Sequence, residues 1–445
     1  MKKRSSPPDA NAGPQSPVDS PQPARAVIET IGNQGDGIAR LGGRKVHVPF
    51  TLPGETVCVE PAGARPEAVA IESPSPDRIE PVCAHFGTCG GCSLQHWRDA
   101  PYREWKANLV RAALARESLD APIEPLRSYP IPSRRRAVFT ASRQGGRVKL
   151  GFNAARSHDL VDIAECPILL PHLSSALPHL REALREALPN GGEAKVHVTA
   201  AANGLDCSIE AAKLPAQAAA RLAPALSAAG IIRIAWNGEI VFLKAAPFVL
   251  IGGVKVALPQ GAFLQAVEAC EQDMAAFAGE VLAETKTAKG PVCDLFAGLG
   301  AFTVPCAKQA SVTAFEENAE AVSALASGAK GAAGLKPVKA VRRDLFRNPL
   351  GLFELNAFAA AVADPPREGA EAQCRALAAS RIGVAAMLSC NPVTFARDAA
   401  ILTAGGFKLA RVAVFDQFKF SAHVEIGAAF VRPGGKKGRL APALK

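Results

Sequence analysis

The sequence predicts a multidomain protein with a small N-terminal β-barrel, a central α+β domain and a C-terminal α/β domain. Between residues 25 and 79, Gly and Pro separate short alternating apolar segments, which is typical of a small antiparallel barrel of the OB type. Residues 80–260 mix strand candidates with Ala-rich helical stretches. From residue 261 to residue 432, apolar strands alternate with helical stretches, and this rhythm predicts a parallel, doubly wound sheet.

The composition indicates an anionic partner. The 445 residues include 51 Lys and Arg against 41 Asp and Glu, a formal net charge of +10. Nucleic acid is the commonest partner of a basic chain, although solubility alone would explain the same charge. The sequence lacks a transmembrane run and a signal-peptide core, so we expect a cytoplasmic protein with no membrane partner. The Pro-rich residues 1–24 and the basic tail at 433–445 are expected to be disordered.

The segment PVCDLFAGLGAFTVPCA predicts a strand, a Gly-rich turn and a helix. Gly298 and Gly300 permit a tight turn and a close approach to a ligand. Glu316 ends the next strand candidate, 22 residues after Asp294, where a carboxylate can bind ribose hydroxyls. A dinucleotide fingerprint would need a third Gly where Thr303 stands, so S-adenosylmethionine is favoured over NAD or FAD. The loop on its own could also be a turn without function.

Two apolar strand candidates end in residues that suit catalysis. One stops at Asp364 before two prolines, which leaves the Asp at the carboxyl edge where open α/β sheets bind ligands. The other stops just before Cys390, and a helix predicted to begin near Thr394 would help to lower the pKa of that thiol. A thiolate at this edge is a candidate nucleophile. The alternatives are an Asp that caps a turn and a buried, inert Cys.

A group of cysteines predicts a metal centre. Cys83, Cys89 and Cys92 are separated by five and then two residues, and Cys166 lies in a later ECPI segment. Four thiolates suit a structural iron–sulfur cluster or a zinc ion, while unrelated buried thiols are the alternative. In a long cytosolic chain with 11 Cys, metal binding and catalysis are expected rather than disulfides.

Taken together, these motifs carry a family resemblance. DLFAGLGAFTVP, DPPREGA, SCNPVTFARD and FGTCGGC in one chain resemble the RNA uracil-5-methyltransferases, and among them the bacterial 23S ribosomal RNA branch. The likeness covers about residues 25–430, and GDGIAR is similar to the RNA-binding TRAM barrel of this family. It implies a TRAM barrel, a central domain with an iron–sulfur cluster and a Rossmann-like methyltransferase domain. We expect a monomer that needs no protein partner.

The resemblance also implies roles for individual residues. It implies methylation of carbon 5 of a uridine, with Cys390 as the covalent nucleophile and Glu425 as the base. The S-adenosylmethionine contacts that it implies are Gln265, Phe296, Glu316, Asp344 and Asp364, and the implied 4Fe–4S ligands are Cys83, Cys89, Cys92 and Cys166. Ala301 and Val267 stand where the family often has Asn, which puts individual cofactor or base contacts in doubt.

Several alternatives stay open at this point. The same chemistry could act on another ribosomal site or on the T-loop of tRNA. A non-catalytic iron–sulfur RNA-binding protein would share the barrel and the cysteines, but it would not need Asp364, Cys390 and Glu425. A radical S-adenosylmethionine enzyme would have Cys-x3-Cys-x2-Cys, whereas the first gap here is five residues. Arg134, Arg135 and Arg136 either hold RNA phosphates or form a solvated basic turn.

Overall fold

A computed structural model describes residues 23–60, 67–215, 226–283 and 290–433, together with residues 218, 222 and 224. The tails predicted at 1–24 and 433–445 lie outside these residues, except for their innermost positions. The chain forms two compact units, which divide between Arg78 and Ile79. In the part of the chain that is described, no helix is long and apolar enough to cross a bilayer.

The N-terminal unit consists of antiparallel strands around one apolar core. Its strands are β1 (Ala24–Val27), β2 (Thr30–Ile31), β3 (Gly37–Leu41), β4 (Arg44–Val48), β5 (Thr56–Val59) and β6 (Ala68–Ser73). One sheet has the order β1-β5-β6 and the other the order β2-β3-β4. Val48 and Val57 come from different sheets and are both fully buried in the shared core. The small antiparallel domain predicted from the sequence is confirmed.

The second unit begins with mixed α and β structure. Its elements up to residue 257 include α1 (Asp99–Arg116), β7 (Arg127–Ser128), β8 (Arg136–Gln144), β9 (Arg147–Asn153), β10 (Leu160–Asp162), α2 (Pro171–Ser175), α3 (Leu177–Ala187), β11 (Glu193–Ala201), β12 (Gly204–Ala211), β13 (Ile231–Trp236), β14 (Glu239–Leu243), β15 (Phe248–Ile251) and β16 (Val254–Ala257). One sheet has the order β10-β9-β8-β11-β12-β13-β14, and β15 pairs with β16 in a separate hairpin. Alternation along β11 buries Val196 and Val198 in the core that this sheet shares with α3.

The rest of the second unit is a doubly wound α/β layer. Its elements are α4 (Glu268–Ala283), β17 (Val292–Leu295), α5 (Thr303–Ala307), β18 (Val312–Glu316), α6 (Ala319–Lys330), β19 (Val338–Arg342), α7 (Leu352–Leu355), β20 (Ala360–Ala363), α8 (Glu371–Ala379), β21 (Val384–Ser389), α9 (Pro392–Ala404), β22 (Lys408–Asp416) and β23 (Glu425–Val431). The sheet has the order β19-β18-β17-β20-β21-β23-β22-β7. Its central strands β17, β20 and β21 are buried throughout, because helices cover both faces.

The sheet differs from the sequence prediction in one strand. We expected parallel strands, but β23 is antiparallel to both of its neighbours, β21 and β22. The reason is the short connection at 417–424, which cannot contain the crossover helix that a parallel connection needs. The chain therefore turns back and inserts β23 between two strands that precede it in sequence.

Helix α1 packs against this C-terminal sheet, although the sequence assigned its residues to the central domain. Val110 and Leu114 of α1 belong to the same buried cluster as Leu295, Met387 and Phe395. Helix α1 thus covers one face of the doubly wound sheet, although it precedes the central sheet in sequence.

A buried ion pair joins α1 to the end of β22. The Lys106 ammonium contacts the Asp416 carboxylate, and both side chains are fully buried. Lys106 also donates to the carbonyl oxygens of Phe418, at 3.1 Å, and His423, at 2.8 Å. The Tyr102 hydroxyl donates to Asp416 at 2.8 Å. These contacts fix the connection between β22 and β23 and therefore the start of β23.

Replacing Lys106 with Met should lower the free energy of unfolding by about 3–5 kcal/mol, because Asp416 would remain buried in the core without its partner. Urea denaturation followed by circular dichroism measures this loss. Arg111→Met is the matched control, because Arg111 is on the exposed side of α1 and pairs with Glu104 at 2.6 Å. Its loss should stay below about 1 kcal/mol. Equal losses in the two variants would contradict a special role for the buried pair.

Candidate active site

A cleft of about 490 Å³ opens along the carboxyl ends of the central strands of the doubly wound sheet. Such an edge is where open α/β sheets bind ligands. The walls include most of the residues that the sequence singled out, namely Gln265, Phe296, Gly298, Glu316, Asp364, Cys390 and Glu425. Gly300 and Asp344 do not line the described walls, although neighbours of both do.

The Gly-rich turn after β17 is held by Glu316 at the end of β18. The backbone of Gly298 has a φ of +54°, which favours Gly, and its N–H donates to Oε2 of Glu316 at 2.9 Å. The N–H of Asn318 donates to Oε1 of the same carboxylate at 2.8 Å. At Gly300 a side chain would collide with Leu325, since its Cβ would be only 2.4 Å from Cδ1. The two glycines therefore serve different purposes, the turn itself and close packing against α6.

Two aromatic rings form the next part of the cleft wall. Phe296 adopts a φ of +63°, a left-handed conformation that is costly for a bulky residue. Its ring centroid is 5.4 Å from that of Phe346. Asp344 accepts hydrogen bonds through Oδ1 from the N–H groups of Phe346, at 2.9 Å, and Arg347, at 3.0 Å. In this structure Asp344 orders the turn that carries Phe346.

Cys390 and Glu425 come together because β21 pairs with β23. Ser389 is opposite Ile426 in the antiparallel register, so the next positions, Cys390 and Glu425, face each other at the end of the ladder. Beyond Cys390, the Asn391 side chain accepts a hydrogen bond from the N–H of Val393 at 3.0 Å and caps α9. The thiol is thus held between a strand end and a helix start.

The electrostatics at Cys390 differ from the sequence prediction. Helix α9 begins directly after Cys390, as expected, yet burial raises the pKa of the thiol to about 12, and the nearby carboxyl groups of Glu425 and Asp364 raise it further. Arg367 acts in the opposite direction. Burial and negative neighbours therefore outweigh the helix terminus in setting the pKa of this thiol.

Two carboxyl groups of the cleft, those of Glu425 and Asp364, also have shifted pKa values. Burial, followed by the proximity of Asp364, raises the pKa of Glu425 to about 8. Burial likewise raises the pKa of Asp364 to about 7, against a hydrogen bond from Gln265 that lowers it. The Nε2 of Gln265 donates to Oδ2 of Asp364 at 3.1 Å. Both carboxyl groups can therefore exchange a proton near neutral pH, as acid–base catalysis requires.

Of the three consecutive arginines, Arg135 fits neither sequence interpretation. Arg135 is buried, where it donates to Glu271 at 2.6 Å and to the carbonyl oxygen of Gln265 at 2.9 Å. The Cζ of Arg136 lies 4.4 Å from the ring centroid of Phe263, and that of Arg134 lies 5.7 Å from the ring centroid of Phe418. The interpretations of Arg135 as a phosphate ligand and as a solvated residue are wrong. It instead anchors the backbone of Gln265.

The predicted metal-binding cysteines share a second cavity, of about 300 Å³, whose walls include Cys83, Cys89, Cys92 and Cys166. The N–H of Gly91 donates to the sulfur of Cys89 at 3.4 Å. Burial raises the pKa of Cys92 to about 12, with a smaller upward effect from the other three thiols. Among the described residues, no three His, Cys, Asp or Glu side chains converge closely enough to hold a metal ion.

The sequence analysis missed Gln417, Arg367 and Glu271. Gln417 follows β22 directly, is buried, and donates to both Gln265 and Glu425. Arg367 lines the cleft after Asp364, and Asn391 holds it by donating to its carbonyl oxygen at 3.0 Å. No periodicity or motif marks Gln417 or Glu271, because their roles depend mostly on partners that are far away in sequence. Arg367 lies in the DPPREGA segment, but the sequence alone assigns it no contact.

Known proteins resemble this chain over nearly its full length. The family model for tRNA (Uracil-5-)-methyltransferase matches residues 254–432, and that for the TRAM domain matches residues 23–60. An uncharacterized RNA methyltransferase of Caulobacter vibrioides is 44% identical over 416 residues, covering 91% of this chain and 99% of the relative. A 23S rRNA (uracil(1939)-C(5))-methyltransferase of Halomonas elongata is 34% identical over 430 residues, covering 90% of this chain and 87% of the relative.

A solved structure shares the fold. The tRNA (uracil-54, C5)-methyltransferase of Pyrococcus abyssi, in complex with S-adenosyl-L-homocysteine, superposes with a TM-score of 0.71 at 21% identity. The match covers 92% of this chain and all of that chain (100%). It supports an N-terminal TRAM domain and a C-terminal methyltransferase fold, as predicted. From the sequence identity, the family models and the motifs that line the cleft, the chain belongs to the RNA uracil-5-methyltransferase family.

Proposed function

We propose that this protein transfers a methyl group from S-adenosylmethionine to carbon 5 of a uridine in RNA, through a covalent bond between Cys390 and carbon 6. The observation that carries this proposal is the antiparallel pairing of β21 with β23, which brings Cys390 and Glu425 together. Both line one cleft with Phe296, Glu316 and Asp364. The reaction needs a nucleophile, a carboxyl group that titrates near neutral pH and a surface that binds the cofactor, all in one cleft.

The residues of the cleft fit S-adenosylmethionine. Glu316 is fixed by two backbone N–H groups and can accept hydrogen bonds from ribose hydroxyls. The Phe296 and Phe346 rings offer an apolar surface for a nucleobase. When bound, S-adenosylmethionine supplies an electrophilic methyl group on its sulfonium. Asp364 and Gln265, hydrogen-bonded to each other, are the candidates to bind the polar end of the cofactor or the uracil edge.

The protein's own groups carry the remaining steps. Carbon 5 of uracil is too weak a nucleophile unaided. Cys390 therefore first loses its thiol proton to solvent and then adds to carbon 6 as the thiolate, which makes carbon 5 electron-rich. After carbon 5 has taken the methyl group, Glu425 accepts the carbon 5 proton. The electron pair of that C–H bond re-forms the C5–C6 double bond, and the thiolate leaves. The base must expose its ring face, so the target uridine lies in a loop or is flipped out.

We infer that the substrate is 23S ribosomal RNA, methylated in the cytoplasm. The 34% identity to the Halomonas elongata 23S rRNA methyltransferase supports this choice. The TRAM domain is consistent with an RNA substrate. The alternative is the same chemistry on a tRNA T-loop uridine.

Mapping of 5-methyluridine in RNA from a deletion strain separates these substrates. We expect one uridine of 23S rRNA to lose its methyl group, and a plasmid-borne copy of the gene to restore it. A plasmid-borne Cys390→Ala variant should not restore it, since the thiol is the nucleophile. If only tRNA lost 5-methyluridine, the substrate would be tRNA and the proposed chemistry would stand. Unchanged methylation in both RNAs would contradict the proposed activity.

Glu425→Gln tests the mechanism itself. Because Glu425 acts after thiolate attack and methyl transfer, the amide variant should form methylated RNA that stays covalently joined to Cys390. A denaturing gel with a radiolabelled methyl donor detects this adduct. The double variant with Cys390→Ala is the control and should show no adduct. Normal turnover without an adduct would remove Glu425 from the mechanism.

We also propose that Cys83, Cys89, Cys92 and Cys166 hold a structural 4Fe–4S cluster. The four thiols line one cavity, and the Gly91 N–H reaches the sulfur of Cys89, which suits a bound thiolate. A single zinc ion would need ligands that converge to about 2.3 Å from one point. A cubane instead places each thiolate on a different iron, so its four thiolates need only surround a cavity such as this one.

Anaerobic purification should give a brown protein with about four irons per chain, measured by elemental analysis and visible absorption. Cys92→Ser should lose most of the iron. Cys58→Ser is the matched control, because Cys58 belongs to the separate N-terminal unit, and it should keep the iron content unchanged. A colourless protein with one zinc would show that the proposed metal is wrong.

A further inference from the structure

Gln417 is the centre of a buried hydrogen-bond network beneath the cleft. Only 3% of its surface is exposed. Its Oε1 accepts hydrogen bonds from the N–H groups of Ala266, at 2.7 Å, and Val267, at 3.3 Å. Its Nε2 donates to Oε1 of Gln265 at 2.6 Å and to Oε1 of Glu425 at 2.9 Å. Both hydrogens and both lone pairs of this amide are therefore used.

The direction of every bond in this network follows from two backbone groups. The N–H groups of Ala266 and Val267 can only donate, so the oxygen of Gln417 must face them and its nitrogen must face the cleft. Gln265 must then accept through its oxygen, which leaves its own Nε2 to donate to Asp364. The two backbone N–H groups thus determine which atoms donate to Glu425 and to Asp364.

We propose that Gln417 is a positioning residue for the reaction: its amide donates to Glu425 and orients that carboxyl group for proton removal, and it also orients the side-chain amide of Gln265 so that Nε2 faces Asp364. This inference rests on the proposed role of Glu425 as the base. Val267 contributes an apolar side chain to the core, and the amide that reaches Glu425 comes from Gln417.

The chemistry of Glu425 explains why such a donor matters. A base must be ionised before it can take a proton, and a donated hydrogen bond favours the ionised carboxylate. Gln417 works against burial and Asp364, which raise the pKa of Glu425 to about 8. The other titratable or charged groups that face Glu425 are Arg136 and Arg367, which lower its pKa, together with the thiols of Cys390 and Cys270.

Gln417→Met removes the donor while keeping the side chain close to its original size. Without this hydrogen bond the pKa of Glu425 should rise, and the midpoint of the pH–rate profile for carbon 5 proton release should move up by about one to two pH units. Release of tritium from RNA labelled at carbon 5 of uridine measures this step. The covalent adduct should accumulate at neutral pH and decay when the pH is raised, which a merely structural residue would not cause.

Gln373→Met is the matched control. Gln373 is similarly buried and also accepts a hydrogen bond from a backbone N–H, that of Leu350 at 2.8 Å. Leu350 does not line the cleft, whereas Gln265 and Glu425, to which Gln417 donates, do line it. The midpoint of its pH–rate profile for carbon 5 proton release should equal that of the unmodified protein. An unchanged midpoint and no adduct in a folded Gln417→Met variant would overturn the inference.

A second variant covers the case in which Gln417→Met does not fold. Gln417→Glu keeps the shape and the bonds from Ala266 and Val267, and it replaces the donor with an acceptor that repels Glu425. Its midpoint should also rise, and an unchanged midpoint would overturn the inference. Failure of the proposed function is distinguishable, because Glu425→Gln would then turn over normally whatever happens at Gln417.

Discussion

The antiparallel pairing of β23 between β21 and β22 is the constraint on which the cleft depends. It brings Glu425, at the start of a late strand, next to Cys390, at the end of an earlier one. The pairing depends in turn on the short 417–424 connection, which the buried Lys106–Asp416 pair holds in place. Helix α1 therefore acts on the geometry of the cleft although none of its residues lines it.

The cleft buries carboxyl groups at a thermodynamic cost. Burial raises the pKa values of Asp294 and Asp364 to about 7 and that of Glu425 to about 8. In an unfolded chain these groups titrate near pH 4. Between about pH 4 and pH 8 the folded state binds more protons than the unfolded state, so its free energy of unfolding falls as pH rises. The same shifts give the cleft carboxyl groups a proton affinity suited to catalysis near neutral pH.

One backbone segment connects the cysteine cavity to the cleft. The N–H groups of Ser133 and Arg134 donate to the carbonyl oxygen of Ile168, two residues beyond Cys166. The next N–H, that of Arg135, donates to the carbonyl oxygen of Ala266, beside Gln265. The loop that carries Cys166 and the segment that carries Gln265 are thus bonded to adjacent residues, and the central sheet supports the cleft through them.

The sequence by itself determined the order of the domains, the Gly-rich turn and the strand ends at Asp364 and Cys390, because local periodicity and turn chemistry encode them. The tertiary structure decided the rest. It made β23 antiparallel, since strand direction depends on what a connection can span, and it set the high pKa of Cys390, since burial and neighbouring carboxyl groups are not local properties. Gln417 shows the difference most clearly: no pattern marks its position, and its role exists only because four polar groups, three of them distant in sequence, converge on it.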